Sequence, residues 1–116
     1  MGNPVVHFEI VSTEGDKLRS FYSEAFGWKI DADNPMGYGM VDAESEGIGG
    51  GIANSPGDYP GHLTFYIQAD DLEAMLARVE ALGGTTVMPP DPVGDGTVIA
   101  QFKDPAGNMM GLVKGM

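Results

Sequence analysis

Cysteine is absent from this 116-residue chain. That excludes disulfides, thiolate metal sites and a thiol nucleophile, and it suits a reducing cytoplasm. Positive charge is scarce: six Lys+Arg stand against seventeen Asp+Glu, a formal charge of −11. A surface this acidic repels phosphate backbones and anionic lipid, so neither nucleic acid nor membrane is expected as a partner. No apolar run is long enough to span a bilayer. The opening MGNPVVHFEIV has no basic start and carries His7 and Glu9 within its apolar run, unlike a signal peptide. Neither a nucleophile elbow nor a Ser-His-Asp pattern is present. The expectation is a cytoplasmic protein of one domain, residues 1–116, with one modest core.

What is present repeats once. VVHFEIV at 5–11 is rich in β-branched and aromatic residues and reads as a strand. DKLRSFYSEAF places Leu18, Phe21, Tyr22 and Ala25 at helical spacing, with Asp16 as N-cap and Gly27 as stop. WKI, YGMVDA and the glycine-rich GIGGGIA follow as short strands, with NPMG as a turn and NSPGDYPG as a loop. The order then restarts with the strand HLTFYIQ at 62–68. DDLEAMLARVEAL puts Leu72, Met75, Leu76, Val79 and Leu82 on one helical face, opened by a capping box of Asp70 and Glu73 and closed by Gly83 and Gly84. TTVM is a strand, PPDPVGDG a loop, and TVIAQF with MMGLV a hairpin around the turn DPAGN. The pattern predicts an α+β fold: two βαβββ modules, about 4–55 and 61–116, forming a cupped, mostly antiparallel sheet with a helix behind each half.

Side chains alternate along a strand. Val5, His7, Glu9 and Val11 therefore share one face, and Val6, Phe8 and Ile10 the other. His62, Thr64, Tyr66 and Gln68 likewise oppose Leu63, Phe65 and Ile67. The two apolar faces suit packing against helices. The two mixed faces hold the only histidines in the chain; if the halves pair symmetrically, they line a shared concavity with Glu9, Thr64 and Tyr66. One reading is a metal site, since imidazole suits Zn, Ni, Fe or Mn and a carboxylate often completes the set. The other is a pair of hydrogen-bonded histidines without metal. Glu9, about 6–7 Å along the strand from His7, is a candidate general base, ion-pair partner or wall carboxylate. Trp28, the sole tryptophan, is a candidate stacking wall for a planar ligand or a core anchor. Tyr66 is a ligand hydrogen-bonder or a packing residue. Glycines 47, 49, 50 and 51 admit close approach of a ligand or bend the sheet; no helix follows them, so they make no phosphate loop. Met109 and Met110 read as wall or core. Gly111, in the middle of the final strand, has no side chain to pack.

VVHFEIV, FYSEAFGWKI, HLTFYI and DPAGNMMGL, set in the paired layout, resemble the vicinal oxygen chelate superfamily over nearly the whole chain. This is the glyoxalase, bleomycin-resistance and extradiol-dioxygenase group. The resemblance implies a cupped sheet around a small-molecule site, and in metal-using members a divalent cation chelated by the substrate. His7 and His62 match two of the usual metal ligands. The usual last ligand, a glutamate directly before the leucine of the final strand, is Gly111 here, which makes room for a ligand instead; Gly111→Glu is then expected to raise metal affinity. The strand matching GIGGGI offers no carboxylate, and Glu44 and Glu46 lie just before it. Three functions stay open. One is a metal-assisted lyase, isomerase or dioxygenase with an incomplete ligand set and Zn, Ni, Mn or Fe. Another is a metal-free ligand-binding or drug-sequestering protein. The third is a degenerate member acting only as an interaction domain. The resemblance also implies a homodimer.

Overall fold

The computed structural model describes residues 2–34, 37–43, 47–94 and 96–115. Glu44, Glu46 and the middle of the NPMG turn lie outside the described residues. Among those described are ten elements: β1 (Val5–Ser12), α1 (Gly15–Phe26), β2 (Ile30–Asp31), β3 (Gly39–Val41), β4 (Gly49–Asn54), β5 (Gly61–Gln68), α2 (Leu72–Ala81), β6 (Thr85–Gly94), β7 (Thr97–Lys103) and β8 (Met109–Lys114). The order is strand, helix, three strands, repeated once: the α+β class expected. The chain forms two compact units, residues 7–63 and residues 1–6 with 64–116. They differ from the modules read in the sequence by the first residues of β1 and β5, which belong with the opposite unit from the rest of their strands.

In the 7–63 unit the strand order is β2-β3-β4-β1, antiparallel except that β1 runs parallel to β4. The register sets Phe8 opposite Gly50 and Glu9 opposite Gly51. Helix α1 starts two residues earlier than expected: Glu14 is its N-cap and makes no side-chain cap bond, while Asp16 lies in the first turn and pairs with Arg19. Gly15 explains the start. A Cβ there would stand 2.8 Å from the backbone of Ala53 and Asn54, so the helix begins where a glycine lets it rest directly on the end of β4. The stop is the expected one. Gly27 takes the left-handed conformation (φ 72°) and donates to Ser23 O. Phe21, Ala25 and Phe26 remain exposed. Tyr22 and Trp28 stack at 5.0 Å and 11°, and Trp28 reaches Phe8 at 5.3 Å.

In the second unit the order is β5-β8-β7-β6, with β5 parallel to β8 and the other pairs antiparallel. Leu72 and Leu76 of α2 bury against Ala69, Ala100, Phe102 and Leu112, with Ile67, Met75 and Val79 at the margin. The N-cap is Asp71, whose side chain accepts from Ala74 N at 3.0 Å, not Asp70. Ala69 N is still bonded to Val113 O, so the chain leaves the sheet one residue later than a cap at Asp70 requires. Leu82, expected on the apolar face, is the exposed C-cap. Strand β6 runs on through PPDPVG, which reads as a loop in the sequence. It is the last strand of the order, where a missing proline N–H costs no ladder bond, and three register shifts absorb the irregular segment. The alternation in β5 is inverted in part. Thr64 and Tyr66 are buried, while Leu63 of the apolar face is 76% exposed.

Candidate functional site

The alternation of β1 places His7 and Glu9 on one side of the strand, and the 7–63 unit assembles four more residues about them. His7 is 7% exposed. Tyr38 arrives from the loop before β3, where Asn34 clasps its backbone. Asn34 Nδ2 donates to Tyr38 O at 2.6 Å, and Tyr38 N donates to Asn34 Oδ1 at 3.0 Å. Gly37, at φ 62°, turns the chain between them and donates to Asn34 O. The phenol then lies over Gly51, the register partner of Glu9. A Cβ at Gly51 would fall 1.8 Å from the Tyr38 hydroxyl, so only glycine admits this ring.

Hydrogen bonds join these groups in one chain. Tyr38 Oη donates to Glu9 Oε2 at 3.2 Å and lies 3.1 Å from His7 Nε2. Glu9 Oε1 is 2.8 Å from His62 Nε2, both side chains being 15% exposed. His62 Nδ1 is 2.6 Å from the Tyr59 hydroxyl, with the two rings edge-on. The donors set the direction. An ionised carboxylate only accepts, and a phenol has one proton to give. With that O–H donated to Glu9, the Tyr38 oxygen accepts from His7 Nε2–H. His62 Nε2–H donates to Glu9, and Nδ1 of the same ring bonds the Tyr59 hydroxyl. The His7 tautomer is assigned from this network. Burial pushes the His7 pKa down, against a smaller upward pull from Glu9, which favours the neutral ring. The Tyr38 and His62 donors thus both point toward Glu9.

A pH dependence follows. Unfolded, His7 takes a proton near 6.5; folded, it takes one only at lower pH. Between those values the unfolded chain holds more protons, so the His7 contribution to stability is complete above the unfolded pKa and is lost as pH falls toward the folded one. Thermal melts from about pH 7.5 to about pH 5.5 are expected to show a steeper fall in Tm for the wild type than for His7→Gln. Parallel slopes would mean that the imidazole is not buried neutral.

The same directions test the metal that the fold family suggests. A histidine binds a metal through a deprotonated nitrogen, and here both Nε2 atoms are already engaged by protein oxygens, which a metal has to displace. Among the described residues no group of three or more His, Cys, Asp or Glu is placed to hold an ion. As arranged, these residues do not fit a divalent metal.

The other candidates separate from this network. Trp28 stands in the aromatic group with Phe8, Tyr22 and Phe26. Thr64, Tyr66 and Gly111 belong to the second unit. Thr64 Oγ1 donates to Met109 O at 2.8 Å. Tyr66 is 4% exposed, and its ring lies on its register partner Gly111, where a Cβ would be 2.4 Å from ring carbons. The room at Gly111 is therefore filled by a side chain of the protein itself. Tyr38 and Tyr59 are functional candidates that the sequence reading passed over, as part of a strand and of a loop. The signal available for Tyr38 was a turn, Asn34 to Gly37, aimed at glycines that stand opposite His7 and Glu9.

A family model described as the Glyoxalase/Bleomycin resistance protein/Dioxygenase superfamily matches residues 5–112. The chain is 30% identical over 112 residues to the Mycobacterium tuberculosis protein named "Putative glyoxylase CFP32", covering 90% of this chain and 42% of that protein. It is 30% identical over 118 residues to the anthracycline biosynthesis protein DnrV of Streptomyces peucetius, covering 86% and 42%. The chain thus spans about two fifths of the length of these curated relatives. Among solved structures it is similar to the hypothetical protein BH1468 of Bacillus halodurans C-125, with TM-score 0.71 and 16% identity over 100% of this chain and 96% of that one. That likeness is one of fold.

Proposed function

We propose a function from one premise: this chain belongs to the glyoxalase/bleomycin resistance protein/dioxygenase superfamily. It binds a small molecule and moves a proton on it, with Glu9 as the acceptor and His62 and Tyr38 holding that carboxylate in place. The observation that carries this reading is the convergence of donors on Glu9, His62 Nε2 at 2.8 Å and Tyr38 Oη at 3.2 Å. A carboxylate fixed at two points on a strand is oriented before a substrate arrives, and a positioned acid–base group contributes about 10²–10⁴-fold to proton transfer. The reaction class is isomerase- or lyase-like, on a compound with an acidic C–H or O–H. The glyoxylase in the name of the 30%-identical relative supports a small carbonyl compound. Trp28 offers a planar ligand a stacking face. The protein is further proposed to be a cytoplasmic homodimer.

Proton exchange tests the reading. In deuterated buffer, with a panel of small α-C–H carbonyl compounds followed by NMR, the wild type should exchange at least one compound about 100-fold faster than Glu9→Gln. Equal rates across the panel, with no thermal stabilisation by any member, would overturn it.

A second reading is favoured by the match of His7 and His62 to the metal ligands of the family: a metal-assisted reaction with these two as ligands. It requires that both rings give up their present bonds. Metal analysis of untagged protein alongside His7→Ala and His62→Ala decides it, since stoichiometric metal lost in both variants is its signature.

A further inference from the structure

We propose that Tyr38 is a built-in occupant that closes this site to metal, and that removing its phenol opens a divalent-cation site at His7 and Glu9, with His62 behind. Three observations carry it. The hydroxyl stands between the two donors, 3.1 Å from His7 Nε2 and 3.2 Å from Glu9 Oε2. A cation in that place binds nitrogen and oxygen at about 2.0–2.2 Å, so each donor has roughly 1 Å to close. The phenol also engages both donors: it gives its proton to Glu9 and accepts from His7 Nε2–H, so a cation has to break both bonds and displace the Nε2 proton. Finally, the ring is built in rather than adventitious. Glycine at position 51 admits the hydroxyl where a Cβ would stand 1.8 Å away, and Asn34 holds the Tyr38 backbone at both its N–H and its C=O.

The second unit uses the same device independently. The ring of Tyr66 lies on Gly111, where a Cβ would be 2.4 Å from the ring. A tyrosine over a strand glycine thus occurs in each unit, and at Gly111 the glycine falls where the family resemblance implies a carboxylate ligand. In both places an aromatic ring of the chain fills space that an acidic side chain would need.

The inference does not depend on proton transfer at Glu9, and its test needs no substrate. Co(II) is the probe, read by its visible absorption, with Zn(II) titrated by calorimetry. Tyr38→Ala should bind about one equivalent, at least roughly ten-fold more tightly than the wild type, the scale on which groups around a metal alter affinity. Tyr38→Phe, which keeps the ring over Gly51 and loses only the hydroxyl, should gain much less. His7→Ala in the Tyr38→Ala background should abolish the gain. Stoichiometric Co(II) on the wild type, no gain in a folded Tyr38→Ala, or a gain that survives His7→Ala would each overturn the proposal. A measurement on the wild type stands apart from any folding defect: long-range ¹H–¹⁵N spectra should show the His7 imidazole as the Nε2–H tautomer. An Nδ1–H tautomer at His7 would overturn it.

Discussion

Gly111→Ala destabilises the protein by about 1–3 kcal/mol, the usual range for an over-packed interior. Gly111 has no positive φ, so its backbone accepts any residue. On backbone grounds alone, alanine in place of a strand glycine gains roughly 0.4–1 kcal/mol by restricting the unfolded chain. The overlap reverses that sign. The added Cβ meets Cδ2 and Cε2 of Tyr66 at 2.4 Å, and the ring it meets is buried and cannot swing aside like the end of a long chain. The cause is tested by a cycle. In a Tyr66→Ala background the obstacle is gone, and Gly111→Ala should become neutral or stabilising, with a coupling energy of at least about 1 kcal/mol in urea unfolding. Additive effects would mean that Tyr66 does not occupy the space. The same overlap corrects the expectation for Gly111→Glu. A carboxylate there must first expel the Tyr66 ring, so loss of stability is the expected result, ahead of any gain in metal affinity.

Glu9→Ala costs about 2–4 kcal/mol in denaturant unfolding, because it strips the shared acceptor from two part-buried donors. His62 Nε2–H and Tyr38 Oη–H both lose the oxygen they point to. Glu9→Gln should fall between the wild type and Glu9→Ala: it keeps one acceptor oxygen and turns an NH₂ toward a donor. The pairing is tested by His62→Ala, whose cost should largely vanish once Glu9 is already alanine. A Glu9→Ala variant within about 0.5 kcal/mol of the wild type, the range of an ordinary surface substitution, would show that the network does not hold the unit together.

The fold was largely legible because its signals are local. Helical spacing placed α1 and α2 to within two residues, and Gly27 ended α1 by its own left-handed backbone. Misreadings occurred where a neighbour overrode the local signal. Asp16 is a better cap residue than Glu14, yet the helix starts earlier because Gly15 fits against β4. PPDPVG is loop chemistry, yet it is strand because an edge tolerates proline. Leu63 belongs to an apolar face by alternation, yet it is 76% exposed.

Of the candidate site, alternation along the chain determined by itself that His7 and Glu9 share a face, since both lie on one strand and the period is two. The sequence alone also determined the lack of thiols, the acidic balance and the family. Tertiary structure decided what those residues do. Tyr38 and Tyr59 lie 29 and 3 residues from the groups they bond, and no period along the chain predicts where a loop delivers a side chain. Tertiary structure also decided the meaning of the glycines. An empty position at 51 or 111 is the same letter whether a metal ligand is missing or a ring is seated on it, and only the packing of Tyr38 and Tyr66 distinguishes the two.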